Sequence, residues 1–165
     1  MLKVVKISKQ RIPVLIGKDG KVRKGIEDKT GTEINVIPDS TNVEIRGGQN
    51  EGFSKAKDIV AAIGRGFSPR AAFRLLDEEC TLDMISLKNE TGNTMKRLMA
   101  RVIGRRGSVK RRIEKSTGAR ICVYGKTISF IGEYDENAAA RELVEMLLEG
   151  RPHAKVFARM QEMKK

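Results

Sequence analysis

The sequence contains few aromatic residues, one histidine and two cysteines, and each shortage excludes a class of function. Phe, Tyr and Trp make up 4% of the 165 residues, with no tryptophan. That is too few for a protein that stacks bases on a row of aromatic strand residues. His153 and the isolated Cys80 and Cys122 do not form the ligand pattern of a zinc site. We therefore expect no metal, no cofactor and two buried thiols in reduced form.

Long hydrophobic runs and catalytic clusters are also missing. No apolar run approaches the roughly 18 residues that cross a bilayer, and segment 1–10 lacks the apolar core of a signal peptide. The acidic residues are scattered, without paired carboxylates, a Walker-type loop or a nucleophile–base pair. His153 follows Pro152, where a surface or capping role is expected. These absences predict a cytoplasmic protein without enzymatic activity and without a membrane partner.

Positive charge is what the sequence has in excess. Lys and Arg number 33 against 21 Asp and Glu, which gives a net charge of +12 and a pI near 10.0. Such a balance indicates a polyanionic partner, either nucleic acid or an anionic membrane surface. The alternative at this point is a basic protein whose lysines only maintain its solubility.

Many of the basic residues belong to a sequence repeat. Residues 16–36 and 103–123 both read Ile-Gly-x-x-Gly-x-Val, then Ile-Glu, Thr-Gly and Ile-x-Val. After a small gap, the apolar positions of 56–63 recur at 140–147. The chain is therefore a tandem duplication with a junction near residues 76–79.

Each copy is predicted to form one α+β domain, at 1–77 and 78–165, with three strands and three helices in the order β-α-α-β-β-α. Apolar residues four apart indicate a helix that starts at the second glycine of the repeat. Gly31 and Gly118 suit the left-handed position that ends it. The predicted strands are 3–7, 34–36, 42–46, 81–87, 121–123 and 126–131, and additional helices are expected at about 68–76 and 152–163.

The Gly-x-x-Gly segment has two interpretations. Glycines permit positive φ, so one is a tight turn between two helices. The other is a phosphate-binding turn, because the segment opens a helix whose free N–H groups and dipole favour an anion. Glycines without side chains would then let the backbone approach a sugar–phosphate chain.

The pattern Val/Leu-Ile-Gly-x-x-Gly, followed by a helix, Thr-Gly and an Ile-x-Val strand, resembles the KH family of RNA-binding domains. The element order resembles the type I form, and the resemblance covers nearly the whole chain, twice. It implies a three-stranded sheet packed on three helices in each domain, and a loop that clamps single-stranded RNA beside a hydrophobic groove for the bases. The RNA-binding positions it implies in the second domain are Ile103, Gly104, Arg105, Arg106, Gly107, Lys110, Arg111, Arg120 and Ile121. Candidates for the groove or for the core beneath it are Ile103, Val109, Ile121 and Val123, with the core favoured for Val109 and Val123.

A longer resemblance concerns segment 95–133, the hairpin at 124–128 and the Gly-Arg-Pro at 150–152. These segments are similar to the archaeal relatives of the ribosome-assembly factor called the partner of Nob. That resemblance implies binding of single-stranded RNA near the 3′ end of small-subunit ribosomal RNA during its maturation. It also implies a protein partner, either a ribosome-assembly nuclease or a translation initiation factor.

Local charge distinguishes the two halves. Residues 101–120 hold eight basic residues and one acidic residue, whereas 16–36 hold five and four, with Asp19 inside the loop. Seven net charges beside a glycine turn do not fit a solvated face of mixed sign. We expect the second domain to be the main RNA contact, and the first to bind RNA weakly or to contact protein. The weaker RNA-binding positions are Gly17, Lys18, Asp19, Gly20, Lys21 and Lys24.

Three alternatives stay open from the sequence. One is a KH factor of RNA degradation or transcription, although such factors usually carry an S1-type barrel that this chain lacks. Another is a scaffold that docks a translation or assembly factor through the first domain. In the third, the loop arginines pair with acids of the first half. A monomer is expected, because the second domain offers the first a partner within the chain.

Overall fold

Both halves of the chain follow the β-α-α-β-β-α order that the repeat predicts. The structure is a computed structural model that describes residues 1–48 and 50–164. It divides into two compact units, Met1–Glu78 and a second that begins at Glu79. Each unit combines helices with its own three-stranded antiparallel sheet, so the predicted α+β fold class is confirmed.

In the first unit the sheet order is β1-β3-β2, with both pairings antiparallel. The strand that comes last in sequence therefore lies in the middle, and β1 is an edge strand. The additional helix expected at 68–76 is a single α-helical turn continued by a 3-10 turn at Phe73–Leu76. The elements are β1 (Leu2–Lys6), α1 (Ile12–Ile16), α2 (Lys21–Thr30), β2 (Glu33–Val36), β3 (Asn42–Arg46), α3 (Glu51–Gly64) and α4 (Pro69–Ala72).

The second unit repeats this topology in the sheet order β4-β6-β5, and all its elements except α6 are longer than their counterparts. Here the additional helix expected at 152–163 is a full helix of 11 residues. The elements are β4 (Cys80–Ser86), α5 (Gly92–Ile103), α6 (Ser108–Thr117), β5 (Arg120–Tyr124), β6 (Thr127–Glu133), α7 (Tyr134–Leu148) and α8 (His153–Met163).

The core of the second unit fixes the two helices that flank its glycine loop. Val102 near the end of α5 and Ile113 in α6 are fully buried in one cluster with Phe130 of the central strand. Leu143 and Leu147 of α7 complete the same cluster. Burying side chains of this size contributes roughly 1.5–3 kcal/mol each. The short loop between α5 and α6 is therefore held at the surface between two anchored helices.

The helix ends agree with the sequence prediction, whereas the cysteines differ from it. Gly31 and Gly118 directly follow α2 and α6 with φ values of 69° and 87°, so the predicted left-handed positions are confirmed. Cys80 and Cys122 are half-buried and not fully buried as expected. Both lie on strands of the second sheet, Cys80 at the start of β4 and Cys122 within the edge strand β5, where burial is incomplete.

Candidate nucleic-acid interface

The two Gly-x-x-Gly loops have the same backbone conformation. In the second loop φ and ψ are 73° and 176° at Gly104, 57° and 29° at Arg106, and 75° and 13° at Gly107. The equivalent residues of the first loop agree with these angles within 2°. Positive φ at three of four residues turns the chain sharply between α5 and α6. The loop backbone is thereby presented at the start of α6, where N–H groups and the helix dipole favour an anion.

The first glycine of the loop is required by packing as well as by its dihedral angles. A Cβ atom on Gly104 would overlap the side chain of Val109, which is 7% exposed and belongs to the core. A Cβ atom on Gly107 would approach only the guanidinium tip of Arg111. The absence of a side chain at Gly104 therefore allows the loop to fold tightly against α6.

The basic side chains at the second loop are exposed, and one of them is hydrogen-bonded to the loop backbone. Arg105 and Arg106 are exposed, and no described carboxylate of their own unit pairs with either one. Arg111 bends back and donates a hydrogen bond from Nη1 to the carbonyl oxygen of Arg106, at 2.7 Å. The charge of three arginines is thus concentrated around a single turn.

Lys110 and Arg120, two other predicted RNA contacts, lie on either side of Glu114. The Glu114 carboxylate is 3.4 Å from Lys110 Nζ and 3.5 Å from Arg120 Nε. Lys110 also donates to the carbonyl oxygen of Ile121, at 3.2 Å. Both cations therefore lie along the seam between α6 and β5, partly neutralised by one carboxylate.

Glu114 itself has a structural role that the sequence analysis did not assign. Its Oε2 atom accepts the N–H of Ile121 at 2.9 Å, which ties β5 to α6. In the first unit Glu27 accepts the N–H of Ile34 in the same way, at 2.8 Å. The signal was available, because the Ile-Glu pair recurs in both copies of the repeat.

The candidate groove residues differ in how much surface they offer. Val109 and Ile121 are 7% and 3% exposed and belong to the core, so the core assignment of Val109 is confirmed. Ile121 is therefore a core residue that offers almost no surface to RNA, although the resemblance implied a contact there. Ile103 and Val123 are half-buried, and Val123 packs on the edge of the core. Of the four candidates, these two residues are therefore the ones with side-chain surface left for an apolar contact.

The first loop places a carboxylate where the second has a guanidinium. Asp19 occupies the position of Arg106 with φ of 55° and is exposed beside Lys18. Lys21 and Lys24 of α2 are also exposed. The six weaker positions, Gly17 and Gly20 included, lie together around this loop. The net charge of residues 16–36 is only +1.

An arginine joins the helices in both units, from positions that do not align in the repeat. Arg101 of α5 donates from Nε to the carbonyl oxygen of Leu147 at 3.0 Å, and from Nη2 to that of Arg151. Arg11 donates to the two equivalent carbonyl oxygens of the first unit, at 2.8 and 2.6 Å. No sequence signal identified this contact, because the two arginines lie at different repeat positions.

Family models match both units. A model described as the eukaryotic type KH-domain (KH-domain type I) matches residues 81–165, and a model described as the KH domain matches residues 2–62. The chain belongs to the KH family. The predicted recognition of two KH domains is therefore confirmed. Among the described residues, no group of acidic, His and Cys side chains could hold a metal, and no helix is long and apolar enough to cross a membrane.

Two relatives and one solved structure illustrate the family. A KH domain-containing protein of Methanocaldococcus jannaschii is 42% identical over 94% of this chain and 71% of its own length. The pre-rRNA-processing protein PNO1 of Candida albicans is 31% identical, over 64% of this chain and 40% of its own length. A crystal structure of an a/eIF2alpha–aDim2p–rRNA complex from Pyrococcus horikoshii contains a chain with a TM-score of 0.92 and 40% identity. The match covers 99% of this chain and 94% of that one.

Proposed function

We propose that this tandem KH protein binds single-stranded RNA near the 3′ end of small-subunit ribosomal RNA and acts in the assembly of that subunit. The observation that carries the proposal is the second glycine loop, in which two exposed arginines lie between the glycines at the start of α6. Relatives named for pre-rRNA processing, and a similar chain in a complex with rRNA, support the choice of RNA. We propose that the protein acts in the cytoplasm, as a monomer and without catalysing a reaction.

The loop would act by holding the RNA backbone, and the neighbouring surface would read the bases. Backbone N–H groups at the start of α6, with Arg105 and Arg106, would neutralise phosphates. Ile103 and Val123 would supply apolar contacts, while Lys110, Arg111 and Arg120 would line the path along α6 and β5. Three to four neutralised phosphates predict a log–log salt slope of about −2 to −3 for a single strand.

We further propose that the second domain carries most of the RNA affinity. Residues 101–120 hold seven net positive charges, against one in residues 16–36 of the first domain. Asp19 of the first loop would repel a phosphate at the position where Arg106 would attract one. RNA binding at Gly17, Lys18, Gly20, Lys21 and Lys24 would accordingly be weak.

The test is equilibrium binding of an eight-nucleotide RNA copied from the 3′ end of small-subunit rRNA, with scrambled, DNA and duplex versions beside it. The double variant Arg105→Asp and Arg106→Asp should abolish binding of the native single strand. It should also fold, because Asp19 already adopts the conformation of Arg106 in the equivalent loop. Retained affinity in the folded double variant, or equal binding of all four nucleic acids, would contradict the proposal.

Lys18→Asp provides the matched control for that experiment. Position 18 is equivalent to position 105 in the repeat, so the substitution makes the same change in charge per residue in a loop of the same geometry. We expect it to lower the affinity less than twofold. A loss as large as that of the double variant would mean that total charge, and not the second loop, determines binding.

A second candidate function is docking of a translation initiation factor on the first domain. Leu2 and Val4 point to the same face of the edge strand β1 and are 53% and 47% exposed. Apolar side chains exposed side by side on an edge strand are a common feature of protein contacts. The similar chain from Pyrococcus horikoshii lies in a complex that includes a/eIF2alpha.

Capture by the purified archaeal initiation factor 2 α subunit tests this second function. Val4→Glu should abolish capture and leave RNA binding unchanged. Lys3→Glu is the control, because Lys3 lies on the same strand and points to the opposite face. Undiminished capture of the Val4→Glu variant would rule out β1 as the docking strand.

A further inference from the structure

Apart from the surface along α6 and β5, the second KH domain has a concave surface on its helical side. It is a cavity of about 680 Å³ between α5, α6 and α8, a size typical of small-ligand sites. The glycine loop itself forms part of one wall, through Gly104 and Arg105. The cavity therefore begins at the loop and extends away from β5.

The floor of this cavity is formed by three flat side chains, of which two are stacked. The Arg112 guanidinium lies over the ring of Phe157, 3.7 Å from its centroid. The His153 ring is 6.3 Å from that of Phe157, centroid to centroid, at an interplanar angle of 51°. Guanidinium and aromatic planes are the surfaces on which proteins stack single-stranded bases.

The rim of the cavity is positively charged. Arg97, Arg101 and Arg105 surround the stack, and none of the described residues that line the cavity is a carboxylate. Arg101 donates its hydrogen bonds to backbone carbonyl oxygens, and these partners carry no negative charge that would offset its positive charge. Arg97 and Arg105 have no ion pair with the described residues of their unit. An anionic ligand would therefore meet cations on several sides.

The first domain shows that the fold does not need Arg97, Arg105 and Arg112. Its equivalent aromatic residue, Phe73, packs against Gly25, which occupies the position of Arg112. The positions equivalent to Arg97, Arg101 and Arg105 hold Gln10, Val14 and Lys18. Arg11 makes the packing contact of Arg101 in the first domain, but Arg97, Arg105 and Arg112 have no arginine counterpart there. The concentration of these three arginines in the second domain indicates binding and not packing.

We propose that this cavity binds one further nucleotide of the RNA strand that the glycine loop holds. Its base stacks on Arg112 and the ring of His153 or Phe157, and its phosphate lies between Arg97 and Arg105. The inference rests on the proposed RNA-binding function and extends it past the loop. RNA is favoured over an acidic protein segment, because a carboxylate side chain has no planar ring to place on the Arg112–Phe157 stack.

The test compares RNAs of four and eight nucleotides from the 3′ end of small-subunit rRNA. A KH loop holds about four nucleotides, so only the longer strand reaches the cavity. The double variant Arg97→Gln and Arg112→Ala should lower the affinity for the longer strand about tenfold or more, the usual effect of losing one stacked base. Its affinity for the four-nucleotide strand should stay within about twofold.

Lys96→Gln with Lys115→Ala is the matched control. It removes two charges from the same two helices at exposed positions that do not line the cavity. We expect the control to weaken both strands slightly and equally. Equal losses for both lengths in the cavity variant would mean a general electrostatic effect and would overturn the proposal.

The single histidine of the chain supplies a direct readout of occupancy. The ring resonances of His153 need no assignment among other histidines, and they should shift with the eight-nucleotide RNA and not with the four-nucleotide one. Unmoved resonances under saturating long RNA would overturn the proposal and leave the loop function intact. A hexaglutamate peptide that shifts them at lower concentration than RNA would instead mark a site for protein. If the wild-type protein binds neither RNA, the proposed function itself fails.

Discussion

At the level of single residues, the two glycines of each loop meet different requirements. With φ of 73° and ψ of 176°, Gly104 lies in a region that essentially only glycine occupies. Gly107, with ψ of 13°, lies in the left-handed helical region, which asparagine also tolerates. The sequence motif has glycine at both positions, but only Gly104 has a backbone conformation that is restricted to glycine.

This difference predicts unequal costs of substitution. Gly104→Ala should destabilise the second unit by about 3 kcal/mol or more, because backbone strain of about 1–3 kcal/mol adds to the overlap with Val109. Gly107→Asn should cost less than about 1 kcal/mol. Urea unfolding followed by tyrosine fluorescence measures this, since both tyrosines, Tyr124 and Tyr134, lie in the second unit and no tryptophan interferes. Equal costs at the two glycines would contradict the packing argument.

At the level of elements, the repeat predicted the helices and strands because the residues that mark their limits occur in both copies. The glycine that ends α2 recurs after α6, and the apolar spacing of α3 recurs in α7. The contacts of Arg11 and Arg101 were beyond prediction, because they reach equivalent carbonyl oxygens from non-equivalent positions. The cavity was missed for a related reason. Its stack joins α6 to α8 across 45 residues of sequence, and no local pattern reports such a pair.

The attachment of α8 to α7 includes an ion pair that is sensitive to pH. Arg159 Nε donates to Glu142 Oε2 at 2.6 Å, and this hydrogen bond holds the pKa of the Glu142 carboxyl below its ordinary value. A carboxyl with a lowered pKa in the folded state stabilises the fold above its ordinary pKa of 4.5. It loses that contribution as the pH falls through the lowered value. The contribution is small, because both side chains are exposed.

Glu142→Gln should therefore be slightly less stable than the wild type at pH 7 and indistinguishable from it near pH 2. Paired urea titrations at the two pH values, followed by tyrosine fluorescence, measure the difference. Glu90→Gln is the control, an exposed loop position where no difference is expected at either pH. A difference that persists at the lower pH would show that the pair does not act through its charge.

At the level of the whole molecule, total charge and local charge lead to different expectations. Residues 1–78 hold 15 basic and 10 acidic residues, and residues 79–165 hold 18 and 11, so both units are basic, with net charges of +5 and +7. If the overall field governed RNA binding, the two units would bind comparably. If the glycine loops govern it, the second unit alone should carry the affinity, because the loop charges differ far more than the totals.

The two units expressed separately decide between these expectations. Each has its own sheet and its own core, so each should fold alone, which circular dichroism checks first. We expect residues 79–165 to bind the single-stranded RNA within about threefold of the full chain, and residues 1–78 at least about tenfold more weakly. A rise from 50 to 200 mM salt should weaken the second unit and the full chain alike, by about 20- to 50-fold, because both neutralise the same three to four phosphates. A folded second unit that binds poorly, or a smaller salt effect than in the full chain, would mean that the first domain contributes phosphate contacts despite the carboxylate in its loop.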